Sequence, residues 1–372
     1  MKIILIINTL NGGGRERRLV QLLKSLCLRK DFIVELIVLS DNTEVDYPEV
    51  YKLGCKTLFL STKGGKIDYQ LMYKELCILR PDIVHCWCMN SKMLYYLVKC
   101  KINYRFVLIS GYVADGNRIP ILSTEFLTTH ASFFLSDHIV SNSIAGLRAK
   151  KAPLNKSSVI YNGFDYARFN NVINIIDKRT ELGLSTNDFV ISMFARFCEA
   201  KDWRSFVGVA KMLKDETNIK FLAVGQGKNL EIIKSIANKH NLGNILFLGF
   251  RQDVEDIIRI SNLTMLWSNE KVHAEGVSNS IMESMAAGVP VIASRGGGTA
   301  EIISNSINGF IVPPGDISLS VKIIKEIMSD SAMYKRISVK SKEEIKKRFL
   351  LSQMTDNYIT LYKKLLKERR GF

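Results

Sequence analysis

The chain has 372 residues, 47% of them hydrophobic and 24% charged, with a formal net charge of +16. This balance fits a soluble protein large enough for two ordinary domains and leaves no place for a low-complexity or short-repeat architecture. No stretch approaches the ~18 consecutive apolar residues that span a bilayer. The apolar run after Lys2 is too short for a signal-peptide core, so a cytoplasmic protein is expected.

The seven cysteines lie at irregular spacings, which reads as reduced thiols and not as a disulfide framework. Cys86-Trp87-Cys88 is the one close pair and lacks nearby ligands to complete a metal site. Positive charge is dense at Arg15, Arg17, Arg18, Lys24, Arg29 and Lys30, and again at Lys363, Lys364, Lys367, Arg369 and Arg370. Such charge is compatible with nucleic acid, with the anionic face of a membrane or with a solvated surface.

In chain order, residues 2–7, 33–39, 83–86, 106–109, 138–141 and 159–161 read as buried strands. Helical patterns separate most of them, such as 16–28 with apolar Leu19, Val20, Leu22, Leu23 and Leu26. Strands alternating with helices predict a parallel sheet covered on both faces. A polar connection follows from Asn162 to Asp188. The pattern then restarts with strands at 189–194, 220–224, 245–248, 263–266 and 289–293. The expected fold class is therefore α/β, two doubly wound Rossmann-like domains whose ligand crevices at the strand C-termini face each other across a cleft. The partition is 1–175 and 176–349, with a C-terminal helix in 350–372 as a candidate to complete the first domain.

The strongest chemical signal runs from Ala274-Glu275-Gly276-Val277-Ser278-Asn279 through Glu283 to Gly288-Val289-Pro290-Val291. It reads as a loop, a helix from about Ser278, a stop at Gly288 and a strand. Gly276 permits close backbone approach and Ser278 is a suitable N-cap. A helix mouth of this kind favours phosphate through its amides and dipole. Helical rise would separate Glu275 and Glu283 by ~12 Å along the axis, beyond the roughly 5–10 Å of a glycosidase pair. That spacing suits two contacts on one elongated ligand, since a carboxylate accepts two hydrogen bonds from vicinal hydroxyls.

This stretch resembles the Glu-x7-Glu signature of retaining glycosyltransferases of the GT-B fold, glycosyltransferase family 4 (group 1). The resemblance implies that Glu275 contacts the donor sugar, that Glu283 contacts the ribose, and that Gly276, Val277, Ser278 and Asn279 hold the diphosphate. Phe194-Ala195-Arg196 with Lys201 is similar to the family's Gly-Arg…Lys element, with Ala195 in place of Gly. Arg196 and Lys201 would neutralise charge on the leaving diphosphate. Val224-Gly225-Gln226-Gly227, Leu248-Gly249-Phe250-Arg251 and Gly297-Gly298-Thr299-Ala300-Glu301 resemble the other turns of the donor domain, which implies Gly225, Phe250 and Arg251 as donor contacts.

In the first domain, Gly12-Gly13-Gly14-Arg15-Glu16 lies between a strand and a helix. Arg17 stands where a dinucleotide fingerprint needs its third glycine, so the family reading, with the Gly14 backbone at the donor phosphates, fits better. Asp82-Ile83-Val84-His85 resembles the family's Asp-Ile-Val-His strand, so His85 either lines the acceptor side or is a core histidine, and His138 reads as structural. After the strand ending at Ile109 many members carry a histidine. Here the chain reads Ser110-Gly111-Tyr112-Val113-Ala114-Asp115-Gly116, which leaves Tyr112 and Asp115 as acceptor-side candidates.

The expected function is retaining transfer of a sugar, from a UDP- or GDP-linked donor, to a glycan or lipid-linked glycan in surface polysaccharide synthesis. The enzyme would need no metal or other cofactor and would make peripheral contact with an anionic membrane. The alternatives are a nucleotide-sugar epimerase or a sugar phosphorylase on the same fold and, more remotely, a basic nucleic-acid-binding or scaffold protein.

Overall fold

The structure, a computed structural model, describes residues 1–41, 47–61, 65–113, 115–121, 123–171 and 173–369. Ala114 and Arg370 fall outside the described residues. The chain divides into two compact units, Met1–Gly163 with Leu351–Phe372, and Phe164–Leu350.

The first unit is built on β1 (Lys2–Ile7), β2 (Ile33–Val38), β3 (Thr57–Phe59), β4 (Ile83–Cys86), β5 (Val107–Val113), β6 (His138–Ser141) and β7 (Ser157–Val159). They form one seven-stranded sheet in the order β3-β2-β1-β4-β5-β6-β7, with every recorded pairing parallel. The second unit holds β8 (Phe189–Phe194), β9 (Ile219–Val224), β10 (Ile245–Gly249), β11 (Leu263–Leu266), β12 (Val291–Ser294) and β13 (Phe310–Val312). Its order, β10-β9-β8-β11-β12-β13, is again parallel throughout. Both sheets are doubly wound. The strand order reverses between β1 and β4 in one and between β8 and β11 in the other, which is where such sheets open a crevice at their carboxyl ends.

The central strands carry apolar residues at successive positions because helices cover both faces. Ile3 to Ile7 are fully buried, and so are Ile191, Met193 and Phe221 of the second sheet. The first helix, Gly14–Cys27, buries Leu19, Val20, Leu22, Leu23 and Leu26 as its apolar period requires. The charge on that helix is not all at the surface. Arg18 is buried, lies 4.4 Å over the Trp87 ring and reaches only neutral oxygens, Asn162 Oδ1 at 3.3 Å and the Gly111 carbonyl at 3.4 Å. Lys24 pairs with Glu49 at 3.1 Å.

The structure departs from the sequence expectation in several places: the units divide at Gly163/Phe164 and not at 175/176, and β7 spans Ser157–Val159 and not 159–161. The edge strands β3 and β13, three residues each, are too short to show a period. β5 continues to Val113 through a register shift after Ser110, so the Ser110-Gly111-Tyr112 segment lies inside a strand. β12 begins at Val291 because Gly288 ends the preceding helix in the left-handed region, φ 80°, and Pro290 has no N–H for a ladder.

The C-terminal helix, Leu351–Arg369, belongs to the first unit. Met354, Tyr358, Tyr362, Leu365 and Leu366 pack into the same cluster as Leu19, Leu23 and Val107. Arg369, at its end, donates to the carbonyls of Asp82 (3.2 Å) and Arg105 (3.1 Å).

Candidate active site

The switch point of the second sheet is where the chemistry gathers. The loop after β8 carries Arg196 and Lys201, and the loop after β11 carries Ser268 and Glu275. The two loops are stitched by backbone hydrogen bonds, from Asp202 N to Trp267 O (2.9 Å) and from Asn269 N to Ala200 O (3.0 Å), and by a bridge between Lys201 and Ser268. This brings Lys201 Nζ into a hydrogen-bonded ion pair with Glu275 Oε1. Ser268 Oγ donates to the same oxygen at 3.0 Å, and His273 Nε2 lies 3.8 Å from it.

Glu275 and Lys201 are only 14% and 15% exposed, so the pair is largely withdrawn from water. Burial pushes the Glu275 carboxyl upward. The charge and hydrogen bond of Lys201, with His273 and the Ser268 hydroxyl, outweigh it and hold the group below its ordinary value. A site residue is thus kept as a carboxylate by a cation that touches it. Arg196 is exposed, and its carbonyl accepts from Trp203 Nε1 at 3.0 Å.

The loop after β12 locks Glu275 from the other side. Gly298 N donates to Glu275 O at 2.7 Å. Gly297 sits at φ +49°, and a Cβ there would come within 1.8 Å of Glu275 O. A side chain at 297 would displace the Glu275 backbone, which is the physical reason for the glycine-rich turn. Gly276, Val277 and Ser278 are buried beyond it, and the helix Asn279–Ala287 begins with Ser278 as an extended N-cap whose side chain makes no capping bond.

Glu283, in the second turn of that helix, is 6% exposed and accepts from Arg168 Nη1 at 2.8 Å. The other arm of Arg168 pairs with Glu255. Gly225 is tied by its N–H to Gly249 O at 2.8 Å, which joins the ends of β9 and β10. Phe250, next in the chain, is 63% exposed. Arg251 is committed to Asp253 (2.7 and 2.6 Å) and Glu181 (2.7 Å). These bonds raise the Arg251 pKa and lower that of Asp253.

In the first unit, Gly14 opens the helix after β1, and the Gly13 carbonyl accepts from Tyr47 Oη at 3.2 Å. His85 is fully buried, with Nδ1 2.8 Å from Tyr362 Oη. Its Nε2 has no partner and faces Gly111, where a Cβ would lie 2.2 Å away. Burial, then the nearby Arg18 charge, pushes its pKa well below the usual value. Of the two positions open to it in the sequence, His85 takes the interior one. Tyr112 Oη lies 3.2 Å from Ser132 Oγ, and Asp115 pairs with Lys150 at 3.2 Å.

The structure therefore brings Glu275, Lys201 and the 276–279 backbone together, and leaves Arg251 in an ion cluster of its own. Sequence reasoning missed Ser268, His273 and Arg168. Arg168 stands 115 residues before Glu283, and only the tertiary fold pairs them. Among the described residues no three or more His, Cys, Asp or Glu side chains are grouped to hold a metal ion, and no helix is long and apolar enough to cross a membrane.

Two doubly wound parallel sheets, the second with a carboxylate, a lysine and a helix mouth at its switch point, make up the α/β frame of this chain. Residues 174–344 match the family model described as Glycosyl transferases group 1. The chain is 24% identical over 298 residues to N-acetyl-alpha-D-glucosaminyl L-malate synthase of Bacillus anthracis, covering 78% of this chain and 76% of that protein. It is 26% identical over 216 residues to the capsular polysaccharide biosynthesis glycosyltransferase CapM of Staphylococcus aureus, covering 56% and 55% of the two chains. The latter match therefore spans about half of each protein. Among solved structures it resembles Anabaena Alr3699/HepE in complex with UDP and glucose, with a TM-score of 0.82 at 20% identity, covering 97% and 99% of the chains. That likeness shows the fold, two α/β domains of the GT-B type. The chain carries a glycosyl transferases group 1 domain and is a glycosyltransferase enzyme.

Proposed function

We propose that this enzyme transfers a sugar from a UDP- or GDP-linked donor to a glycan or lipid-linked glycan, with retention of anomeric configuration and no metal, in the synthesis of a surface polysaccharide. The observation that carries the donor side is the Lys201–Glu275 pair at the switch point, beside the mouth of the helix Asn279–Ala287. A buried carboxylate kept ionised accepts hydrogen bonds from sugar hydroxyls. Lys201 has three donors, so it can keep Glu275 and still reach a phosphate oxygen, with exposed Arg196 as a second cation as charge builds on the leaving diphosphate. Gly276, Val277, Ser278 and Asn279 would supply backbone contacts to the diphosphate. Glu283 would accept from the ribose, and exposed Phe250 would stand beside the base. The likeness to CapM, a capsular polysaccharide biosynthesis glycosyltransferase, supports the polysaccharide setting, and UDP with glucose in the HepE structure supports the donor class.

The test is thermal stabilisation by UDP and by GDP in the presence of a chelator, for wild type and Glu283→Ala. One nucleotide should raise the Tm of the wild type clearly more than that of the variant. Equal stabilisation of both proteins, or none of either, would overturn the donor-site reading. With the preferred donor, the anomer of the transferred sugar read by NMR decides retention, and an inverted product would refute it.

A further inference from the structure

Arg168 was not among the residues with an expected role, and it is the side chain that reaches the proposed ribose contact. It lies in the short turn Tyr166–Phe169, just inside the second unit. Its guanidinium donates from Nη1 to Glu283 Oε1 at 2.8 Å and from the other arm pairs with Glu255, while its carbon centre rests 5.5 Å from the Phe164 ring centroid. Glu255 belongs to the first turn of the helix Val254–Ile260, and Glu283 to the middle of the helix Asn279–Ala287. One planar fork thus spans carboxylates from two helices, with one arm given to each.

The three side chains are 23%, 18% and 6% exposed, so the cluster is shielded and its hydrogen bonds are directional. A free glutamate has three side-chain torsions, and the Arg168 contact fixes where the carboxylate points.

We propose that Arg168 is a positioning residue for the donor nucleotide, holding the Glu283 carboxylate in the orientation that recognises the ribose hydroxyls of a nucleoside diphosphate. This rests on the reading of Glu283 given above. Arg168 acts through Glu283 and need not touch the nucleotide. Its removal should therefore weaken discrimination at the ribose, not the grip on the diphosphate.

The experiment compares the affinity of UDP with that of 2′-deoxy-UDP by calorimetry (GDP and 2′-deoxy-GDP if guanosine is preferred), for wild type, Glu283→Ala and Arg168→Met. Wild type should favour the ribonucleotide by about tenfold, the worth of a hydrogen bond to a charged acceptor, and Glu283→Ala should abolish the preference. Arg168→Met should reduce the preference to about twofold while the deoxynucleotide binds nearly as in wild type. An equal loss for both nucleotides would mark Arg168 as merely structural and overturn the proposal, and so would an unchanged preference. A preference that survives in Glu283→Ala would instead remove the ribose reading of Glu283 itself. If Arg168→Met does not fold, Arg168→Lys serves, because a shorter side chain with one nitrogen lacks the two fixed arms of the guanidinium. The preference should then fall about threefold, and no fall would overturn the proposal.

Discussion

At the scale of single residues, the informative feature is that Glu275 and Glu283 are each paired with a cation from a distant part of the chain. Lys201 and Glu275 are 74 residues apart in sequence, and each is the other's main compensation in a site nearly closed to water. Removing one partner of such a pair leaves an uncompensated buried charge, which costs more than the intact pair contributes. Lys201→Met should lower unfolding stability by roughly 2–3 kcal/mol at pH 7, measured by urea denaturation. The sign of the pH effect follows from the depressed carboxyl of Glu275. Above its ordinary value, 4.5, the wild type holds the full contribution, and it loses this contribution as the pH falls through the folded-state value. The difference between wild type and variant should therefore shrink on acidification below about pH 4.5. A difference that grows would mean that the ion pair does not control Glu275.

At the scale of elements, the C-terminal helix decides the interior of the first unit. Tyr358, tilted, and Tyr362, edge-on, pack against His85 with ring centroids 5.5 and 5.9 Å from the imidazole, and Trp87 closes a third side at 4.9 Å. His85 is held neutral by burial and by Arg18, so the folded state binds fewer protons than the unfolded chain below the ordinary value of 6.5. Stability from this group is complete above that pH and is lost as the pH falls toward the folded-state value. His85→Gln should flatten the slope of stability against pH between about 6.5 and 5, followed by denaturant melts, and a slope as steep as the wild type's would refute this account. Tyr362→Phe, which deletes the partner of His85 Nδ1, should cost about 1–2 kcal/mol at neutral pH. The sequence showed a helix of mixed character here and left its destination open, because its aromatic residues have nothing to select a partner until the Arg18, His85 and Trp87 cluster exists.

At the scale of the whole molecule, the second unit is continuous in sequence and the first is not. A fragment spanning Phe164–Leu350 should fold alone and show a cooperative thermal transition. Residues 1–163 without the terminal helix should not, since they lack the packing of Met354, Tyr358, Tyr362 and Leu366. Circular dichroism of the two fragments checks this, and a cooperative melt of 1–163 alone would show that the helix is an ornament of the unit and not part of its core. The alternation of buried strands and amphipathic helices was readable along nearly all the chain, because each strand and helix writes its period into a few adjacent residues. Of the three three-residue edge strands, β3 and β13 escaped for want of length and β7 was placed two residues late.

What the sequence by itself determined is the doubly wound class, the restart of the pattern at the second sheet, and the Glu275…Glu283 segment with its N-cap Ser278 and stop Gly288. These depend on local backbone preference and hydrophobic period, which need no distant partner. Only the tertiary structure decided that Lys201 and Ser268 hold Glu275, that Arg168 holds Glu283, that Arg251 is spent on Asp253 and Glu181, and that His85 is sealed under the terminal helix. Each of these contacts, except Arg251–Asp253 and Ser268–Glu275 at two and seven residues apart, joins segments far apart in the chain. It is set by strand order and crossovers, and by the need of every charge taken out of water to find a partner within hydrogen-bond reach.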